Sequence, residues 1–456
     1  MNGPKVVVIG AASASFGLPT LSSLFAEKEV LRGATISLVD IDQEALSDLA
    51  GWAEAANRQL GNPFKIESYA DRVRALPGAD FVVIAVERAR FESWGKDWEI
   101  PIAHGIVHTF GENGGPGGLA HSLRQIPLVL DICEDIQSLA PDALVVNYSN
   151  PLTRVCLAIT RYTNLRTVGL CHGVAMAYPK VGRVMGWVTA EEDTPQEREQ
   201  EQAVVDSLDI EACGLNHITF ITKMRDKRTG EDLYPAFRER LAAFDPSFEP
   251  LSRRLCQVFG LFPTQYDSHV GEYVAWARPD GHPFEDRLES EARERAELRD
   301  HMRAAADGSY PPVQLMEVDQ VYDDRGPSII ASVVGDRGAH ELAVNIPNGS
   351  CIPGLPEWAV VEVPAFVGSS GVKGVEMDEL PSGLTALFDQ QIRIQDLVVR
   401  SAVERDPNLA LQALLLDPVS GGNAEEAEAM LGDLLRAHAD LLPGWDPAMT
   451  GSGGSR

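Results

Sequence analysis

The chain has 456 residues, of which 44% are hydrophobic and 7% aromatic, a composition that fits a globular protein and excludes a disordered one. Its length exceeds one ordinary domain, so two are expected. The formal charge of -28, from 39 basic and 67 acidic residues, argues against a nucleic-acid or anionic-membrane partner, and no apolar run is long enough for a membrane span.

Met1 to Lys5 leads straight into a strand and lacks the pattern of a secretory leader. The six cysteines (Cys133, Cys156, Cys171, Cys213, Cys256, Cys351) lack CxxC spacing, which points to reduced thiols and a cytoplasmic protein. Lys5 to Gly10 is the β-branched run of a strand buried on both faces. It enters the small-residue turn Gly10 to Phe16, an amphipathic segment from Leu18 to Glu27, and a second strand from Ala34 to Val39 that ends at Asp40. Strand, glycine turn, helix, strand and acid in this order form a dinucleotide-binding unit, although Ala12 stands where the fingerprint has its second glycine. Such a turn lets a pyrophosphate approach a helix N-terminus, and Asp40 can bond a ribose hydroxyl. Gly10, Ala12, Ser13, Phe16 and Asp40 are therefore candidate dinucleotide contacts, with Asn147 at a later strand end.

The alternation continues through a helix from Gln43 to Leu60, a strand from Ala79 to Val86, and a helix from Pro127 to Leu139. A strand from Ala143 to Tyr148 and a helix from Leu152 to Tyr162 follow. Repeated βα units predict an α/β fold, a Rossmann-like doubly wound parallel sheet over residues 1–190, with a border near the charged run Glu191 to Gln202. Thr109 to Gly118 reads as a glycine-rich loop whose backbone something approaches closely. Glu112 and Asn113 within it, and Asn150 at a strand end, are candidate substrate contacts.

Thr167 to Gly173 reads as a short buried strand ending in a turn with a thiol, Cys171, and an imidazole, His172. A second imidazole, His217, follows Asn216, which joins the candidate substrate contacts. Cys171, His172 and His217 can together bind a divalent ion or move a proton. A buried structural cysteine beside two satisfied histidines is the plain alternative.

Residues 191–446 are expected to form an α+β domain, with 447–456 a flexible tail. Its predicted elements are a strand from Thr219 to Met224, a helix from Leu233 to Phe244 and a charged helix from Glu285 to Ala306. A hairpin of Ser328–Val334 with Glu341–Ile346, a strand from Val360 to Val363 and a helical tail complete it. If Phe262 to Tyr273 is helical, Tyr266, His269 and Tyr273 share one face.

Several of these stretches together resemble glycoside hydrolase family 4. The residues that carry the match are Gly10–Phe16, Asp40-Ile41-Asp42, Gly114–Gly118, Asn147–Pro151 and Cys171-His172-Gly173, then Gly214–His217, Asn345–Asn348 and Val361–Pro364, in the family's order. The resemblance implies an architecture like that of lactate and malate dehydrogenases, a small glycoside substrate and a homodimer or homotetramer. It also implies NAD and a divalent metal, usually manganese, held at Cys171 and His217. The implied reaction oxidises the sugar C3 hydroxyl, removes the C2 proton, expels the aglycone from C1, adds water and reduces C3 again. His172 is implied as an acid near the leaving group, and Asp267, His269 and Glu272 fit the family's pattern. The C2 base is Tyr266, Asp267 or Tyr273.

The Cys-His-Gly form resembles the α-glucuronidase group, so an α-linked uronide is expected, with α-galacturonides, α-glucosides and α-galactosides as alternatives. A uronide needs a cationic partner, for which Arg88, Arg90 and Arg124 lie near crevice loops. An NAD-dependent hydroxy-acid dehydrogenase and a nucleotide-responsive binding protein are the readings from other classes.

Overall fold

The computed structural model describes residues 3–13, 16–192, 194–277, 287–316, 324–421 and 423–445; the predicted tail 447–456 lies outside them. Among the described residues one 11-stranded sheet forms the frame. Strands β1 (Lys5–Ile9), β2 (Thr35–Val39), β3 (Lys65–Tyr69), β4 (Phe81–Ile84), β5 (Leu144–Asn147) and β6 (Arg166–Gly169) are parallel, in the order β3-β2-β1-β4-β5-β6. The sheet continues as β9 (Ala339–Pro347), β10 (Val360–Gly368), β7 (Leu208–Leu215) and β8 (Ile218–Asp226), antiparallel to their neighbours, with β11 (Gly371–Gly374) on β10.

Alternation along the parallel strands fills two cores. Val7, Ile9, Val82, Ile84 and Val145 pack with the helices Gly115–Leu139 and Leu152–Tyr162. Val6, Val8, Phe81, Val83 and Val146 pack with the helices Gly17–Ala26 and Gln43–Gln59 on the other face. Coverage of both faces is why these strands read as unbroken apolar runs. The expected α/β fold with a doubly wound parallel sheet is what the chain forms. Among the described residues, no helix is long and apolar enough to cross a membrane.

Three local expectations are corrected. Ser328–Val334 is not a hairpin strand; it lies in the helix Arg325–Gly335, whose N-cap Asp324 accepts from the Gly326 N–H, and the partner of β9 is β10. A short β-branched run cannot by itself be told from a buried helix, and the aspartate cap was the available signal. The glycine-rich stretch is not all loop, because the helix predicted from Pro127 begins at Gly115. A Cβ on Gly114 would fall 2.4 Å from the Glu272 carbonyl oxygen, and one on Gly118 2.4 Å from the Asn113 carbonyl carbon, so these glycines permit backbone-on-backbone packing. The third correction, the segment around Tyr266, belongs to the site.

One row of paired residues crosses eight strands: Val39, Ile9, Ile84, Asn147, Gly169, Asn345, Glu362 and Gly214. In the parallel strands of that row the chain leaves the sheet at once, into Asp40, Gly10, Ala85, Tyr148 and Leu170. This C-terminal edge is where an open α/β sheet forms its crevice.

Candidate active site

The turn after β1 and the acid after β2 are built as one unit. Gly10 has φ 81°, and a Cβ there would lie 2.2 Å from the Ala85 carbonyl oxygen. Asp40 Oδ2 accepts from the Ala12 N–H at 2.9 Å, and Oδ1 from the Asp42 N–H at 2.9 Å. Ser13 donates its N–H to the Gly10 carbonyl and accepts from the Gly17 N–H, which closes the turn. The helix Gly17–Ala26 starts at Phe16 with no capping side chain and no acid in its first turn, so its positive end suits a pyrophosphate. Asn147, expected at the cofactor, turns inward instead: its Nδ2 donates to the Ser149 carbonyl at 3.1 Å, and its Oδ1 accepts from the Ser149 N–H. The Phe16 ring stacks on Tyr148 at 4.7 Å and on His172 at 5.9 Å, joining this turn to the Cys171 turn.

Cys171 Sγ lies 3.5 Å from His217 Nε2. His217 occupies the turn between β7 and β8 with φ 70°, and its Nδ1 is buried without a partner. Its ring centroid is 4.3 Å from that of His269, and donor atoms of His217, His269 and Glu272 lie within 4.8 Å of one another. Glu272 Oε1 stands 3.1 Å from His269 Nδ1, while Oε2 accepts from the N–H groups of Glu112, Asn113 and Gly114 at 2.9, 2.5 and 2.9 Å. Burial alone would raise this carboxyl, but His269, His217 and the Gly114 N–H together hold it below the usual range. Glu272 therefore orients His269, and the thiol with two imidazoles is a donor set that fits a divalent ion.

Two neighbours of this cluster are absent from the sequence reading of the site. Glu362, buried in β10, accepts from Asn216 Nδ2 at 3.1 Å, from Asn345 Nδ2 at 2.9 Å and from Thr219 Oγ1. Burial first, then the Glu362 charge, pushes the Cys171 thiol up, against bonds from Asn216 and the Gly173 N–H. A lone glutamate in an otherwise apolar strand was the signal for it. Arg325 Nη2 donates to the Cys171 carbonyl at 3.0 Å. Burial and this guanidinium push His172 down to about 4, so its ring is neutral at pH 7 and suits a proton acceptor better than a donor.

Glu112 is also buried. Its Oε1 lies 3.3 Å from Arg90 Nη2 and 3.5 Å from Asn150 Nδ2, and its Oε2 accepts from Asn113 Nδ2 at 3.2 Å. Arg90 also pairs with Glu87 at 2.7 Å, and His121, a further residue the sequence reading missed, stands 3.3 Å from the same carboxylate. Arg124 forms a fork with Asp97 at 2.8 and 2.5 Å. Arg90 and Arg124 are thus committed to acids of the chain, and Arg88 is exposed.

The helical face expected for Tyr266, His269 and Tyr273 does not form. One helical turn, Asp267–Val270, gives way to a 3₁₀ turn, Gly271–Tyr273. The Thr109 hydroxyl bonds the Ser268 carbonyl at 2.6 Å, and Glu272 is drawn to the 112–114 N–H groups, so tertiary contacts set the path. Tyr266 is exposed, with Lys180 Nζ 5.3 Å from its ring. Asp267 caps the helix Pro250–Phe259, accepting from the Leu251 N–H at 2.6 Å and the Ser252 N–H at 2.8 Å. Tyr273 is buried and lines a narrow crevice with Asn113, Arg154, Asn216 and Gln395.

A dinucleotide-type turn, a thiol–imidazole cluster and a polar crevice on one sheet edge define an enzyme of small-molecule chemistry. Residues 5–186 match the Family 4 glycosyl hydrolase pattern, and residues 212–420 match the Family 4 glycosyl hydrolase C-terminal domain. The chain belongs to glycoside hydrolase family 4, as the resemblance implied. It is 34% identical to an alpha-glucosidase of Erwinia rhapontici, over 91% of this chain and 94% of that protein. It is 27% identical to an alpha-galacturonidase of Bacillus subtilis (strain 168), over 95% and 97%. A solved 6-phospho-alpha-glucosidase from gut microorganisms, in complex with NAD and Mn2+, shares the fold with a TM-score of 0.81 at 19% identity, covering 98% of this chain and 100% of that one.

Proposed function

We propose that the chain is an α-glycosidase that uses NAD and a divalent metal and hydrolyses its substrate without net oxidation. The observation that carries this reading is the cluster of Cys171, His217 and His269, linked to the Gly10–Phe16 turn through the Phe16–His172 stack. NAD and Mn2+ in the structurally similar 6-phospho-alpha-glucosidase support the choice of cofactors.

Gly10, Ala12, Ser13, Phe16 and Asp40 would hold NAD, and the Asp40 charge disfavours the 2′-phosphate of NADP. Cys171 and His217, with His269 beside them, would hold the metal. When bound, NAD supplies a reversible hydride acceptor for the sugar C3 and the metal a Lewis acid for its oxygen. The rest falls to side chains. Glu112, fixed by Arg90, Asn113 and Asn150, accepts bonds from sugar hydroxyls. Tyr273, in the crevice beside Asn216, would take the C2 proton as its phenolate; burial holds the phenol protonated in the free protein, so it must first give up its proton, a loss that the Arg154 charge favours. His172, neutral at pH 7, would serve as a proton acceptor beside the reacting centre.

The Erwinia relative is an alpha-glucosidase and the Bacillus relative an alpha-galacturonidase, so neutral and acidic α-hexosides are both within the family's reach. The test is a panel of aryl α-glucoside, α-galactoside, α-glucuronide and α-galacturonide, each with and without NAD and Mn2+. Cleavage that needs both additions is expected. Steady NADH release without cleavage would assign a dehydrogenase instead, and silence across the panel would assign a binding protein.

A further inference from the structure

Three consecutive residues, Asp324, Arg325 and Gly326, meet three separate parts of the site at the start of the helix Arg325–Gly335. Asp324 is 2% exposed; its Oδ2 accepts from the Thr20 hydroxyl in the dinucleotide helix Gly17–Ala26, and its Oδ1 from the Gly326 N–H at 3.0 Å. The same N–H reaches Tyr148 Oη at 2.9 Å, and Tyr148 carries the stacked Phe16 ring. A Cβ on Gly326 would lie 2.2 Å from Tyr148 Oη, so a side chain here would push the phenol away. Between these two residues, Arg325 Nη2 donates to the Cys171 carbonyl at 3.0 Å.

Helix formation does not account for Arg325. It holds the first helical position, where a cation opposes the positive end of the helix, and no acid stands in that turn to offset it. Its Nη1 is buried, 3.6 Å from Glu341 Oε2 and without a hydrogen-bond partner among the described residues. Ordering so long a side chain costs conformational entropy, and the hydrogen bond it gains is to one backbone carbonyl. That carbonyl belongs to the residue whose thiol stands 3.5 Å from His217 Nε2. The Leu170 N–H still bonds the Asn147 carbonyl at 3.0 Å, and Cys171 is the first residue beyond that bond. Its thiol accepts from the Gly173 N–H within the same turn, whereas Arg325 ties the carbonyl side of the turn to a separate helix.

We propose that Arg325 is a positioning residue for the divalent metal: its hold on the Cys171 carbonyl sets the thiol toward His217, and Asp324 and Gly326 fix that hold to the dinucleotide helix. The inference rests on the metal-dependent reading of the site. A group behind a metal ligand orients it before the ion arrives, and affinity is gained by that preorganisation. The dinucleotide unit and the metal turn are thereby anchored to one short stretch of backbone.

The test is Mn2+ titration followed by electron paramagnetic resonance, with NAD titration by calorimetry and a thermal melt on the same full-length samples. The proteins are the wild type, Arg325→Met and Arg325→Lys. Arg325→Met should weaken Mn2+ binding roughly ten- to a hundredfold, the scale of losing a group that orients a metal ligand. Its NAD affinity should stay at the wild-type value, because the Asp324 and Gly326 contacts remain. Arg325→Lys keeps a donor without the planar fork and should fall between the two in Mn2+ affinity. Wild-type Mn2+ affinity in Arg325→Met overturns the inference, and so does a parallel loss of Mn2+ and NAD affinity, which is what a merely structural role gives. If Arg325→Met fails to fold, Arg325→Lys is held to the same two criteria. A wild type that binds no Mn2+ overturns the inference together with the reading beneath it. Wild-type binding that Arg325→Met retains overturns the inference alone.

Discussion

The Cys171 thiol and the His217 Nε2 stand 3.5 Å apart although 46 residues separate them in the chain. One follows the last parallel strand, and the other sits in a tight turn at φ 70°. Glu362 bridges them: it accepts from Asn216 beside His217 and from Asn345, which pairs with Gly169 of the last parallel strand. Cys171→Ser and His217→Ala are each expected to abolish metal-dependent turnover while leaving the melting temperature within a few degrees. Manganese titration followed by electron paramagnetic resonance checks the first half, and a thermal melt the second. Wild-type manganese affinity in both variants removes the metal assignment.

Gly118 tests how the 112–118 turn is packed. In an open helix, alanine is more stable than glycine by about 1 kcal/mol. Here the new Cβ would fall 2.4 Å from the Asn113 carbonyl carbon, which has no flexible end to move aside. Gly118→Ala should therefore lower stability by about 1–3 kcal/mol, the range of overpacked cores. Denaturant unfolding reads the sign, and a stabilised variant would show that the turn is not built this way.

The next expectation concerns pH. His104 ends the helix Arg90–Ala103, with ring nitrogens 2.6 Å from Glu426 and 2.8 Å from Asp433 of the helix Ala424–Ala437; Arg436 also bonds Asp433. Burial would lower its pKa, but the two acids outweigh burial and raise it above 6.5. A raised histidine stabilises fully below its unfolded pKa, and that contribution disappears as pH rises through the folded value. The clamp between the two helices should thus loosen above pH 6.5. His104→Gln should flatten the pH dependence of the urea midpoint between mildly acidic and alkaline buffer. An identical slope in both proteins would place the effect elsewhere.

Much of this was legible in the chain. Val6 to Ile9 and Phe81 to Ile84 announced buried parallel strands because both of their faces are covered. Cys171 and His217 stood out as polar chemistry at the ends of apolar strands. What was hidden depends on contacts across the fold. Gly117 and Gly118 are poor helix formers, and the close approach of Gly111 and Asn113 accounts for them there. Arg154 reads as the polar position of an amphipathic helix, since nothing nearby in sequence tells that it is buried with its Nη1 on Ser122 Oγ. Asp267 and Asn147 looked available, yet each satisfies backbone N–H groups close to it in the fold, a use that polar residues at helix and strand ends often have.

Removal of the C2 proton during turnover is the central claim, and one measurement reaches it directly. An α-hexoside is hydrolysed in deuterated water with NAD and Mn2+, and the released sugar is examined by nuclear magnetic resonance. The elimination route predicts deuterium at C2 of the product, with the exchange suppressed in Tyr273→Phe. A product carrying only hydrogen at C2, formed at the full wild-type rate, would contradict it.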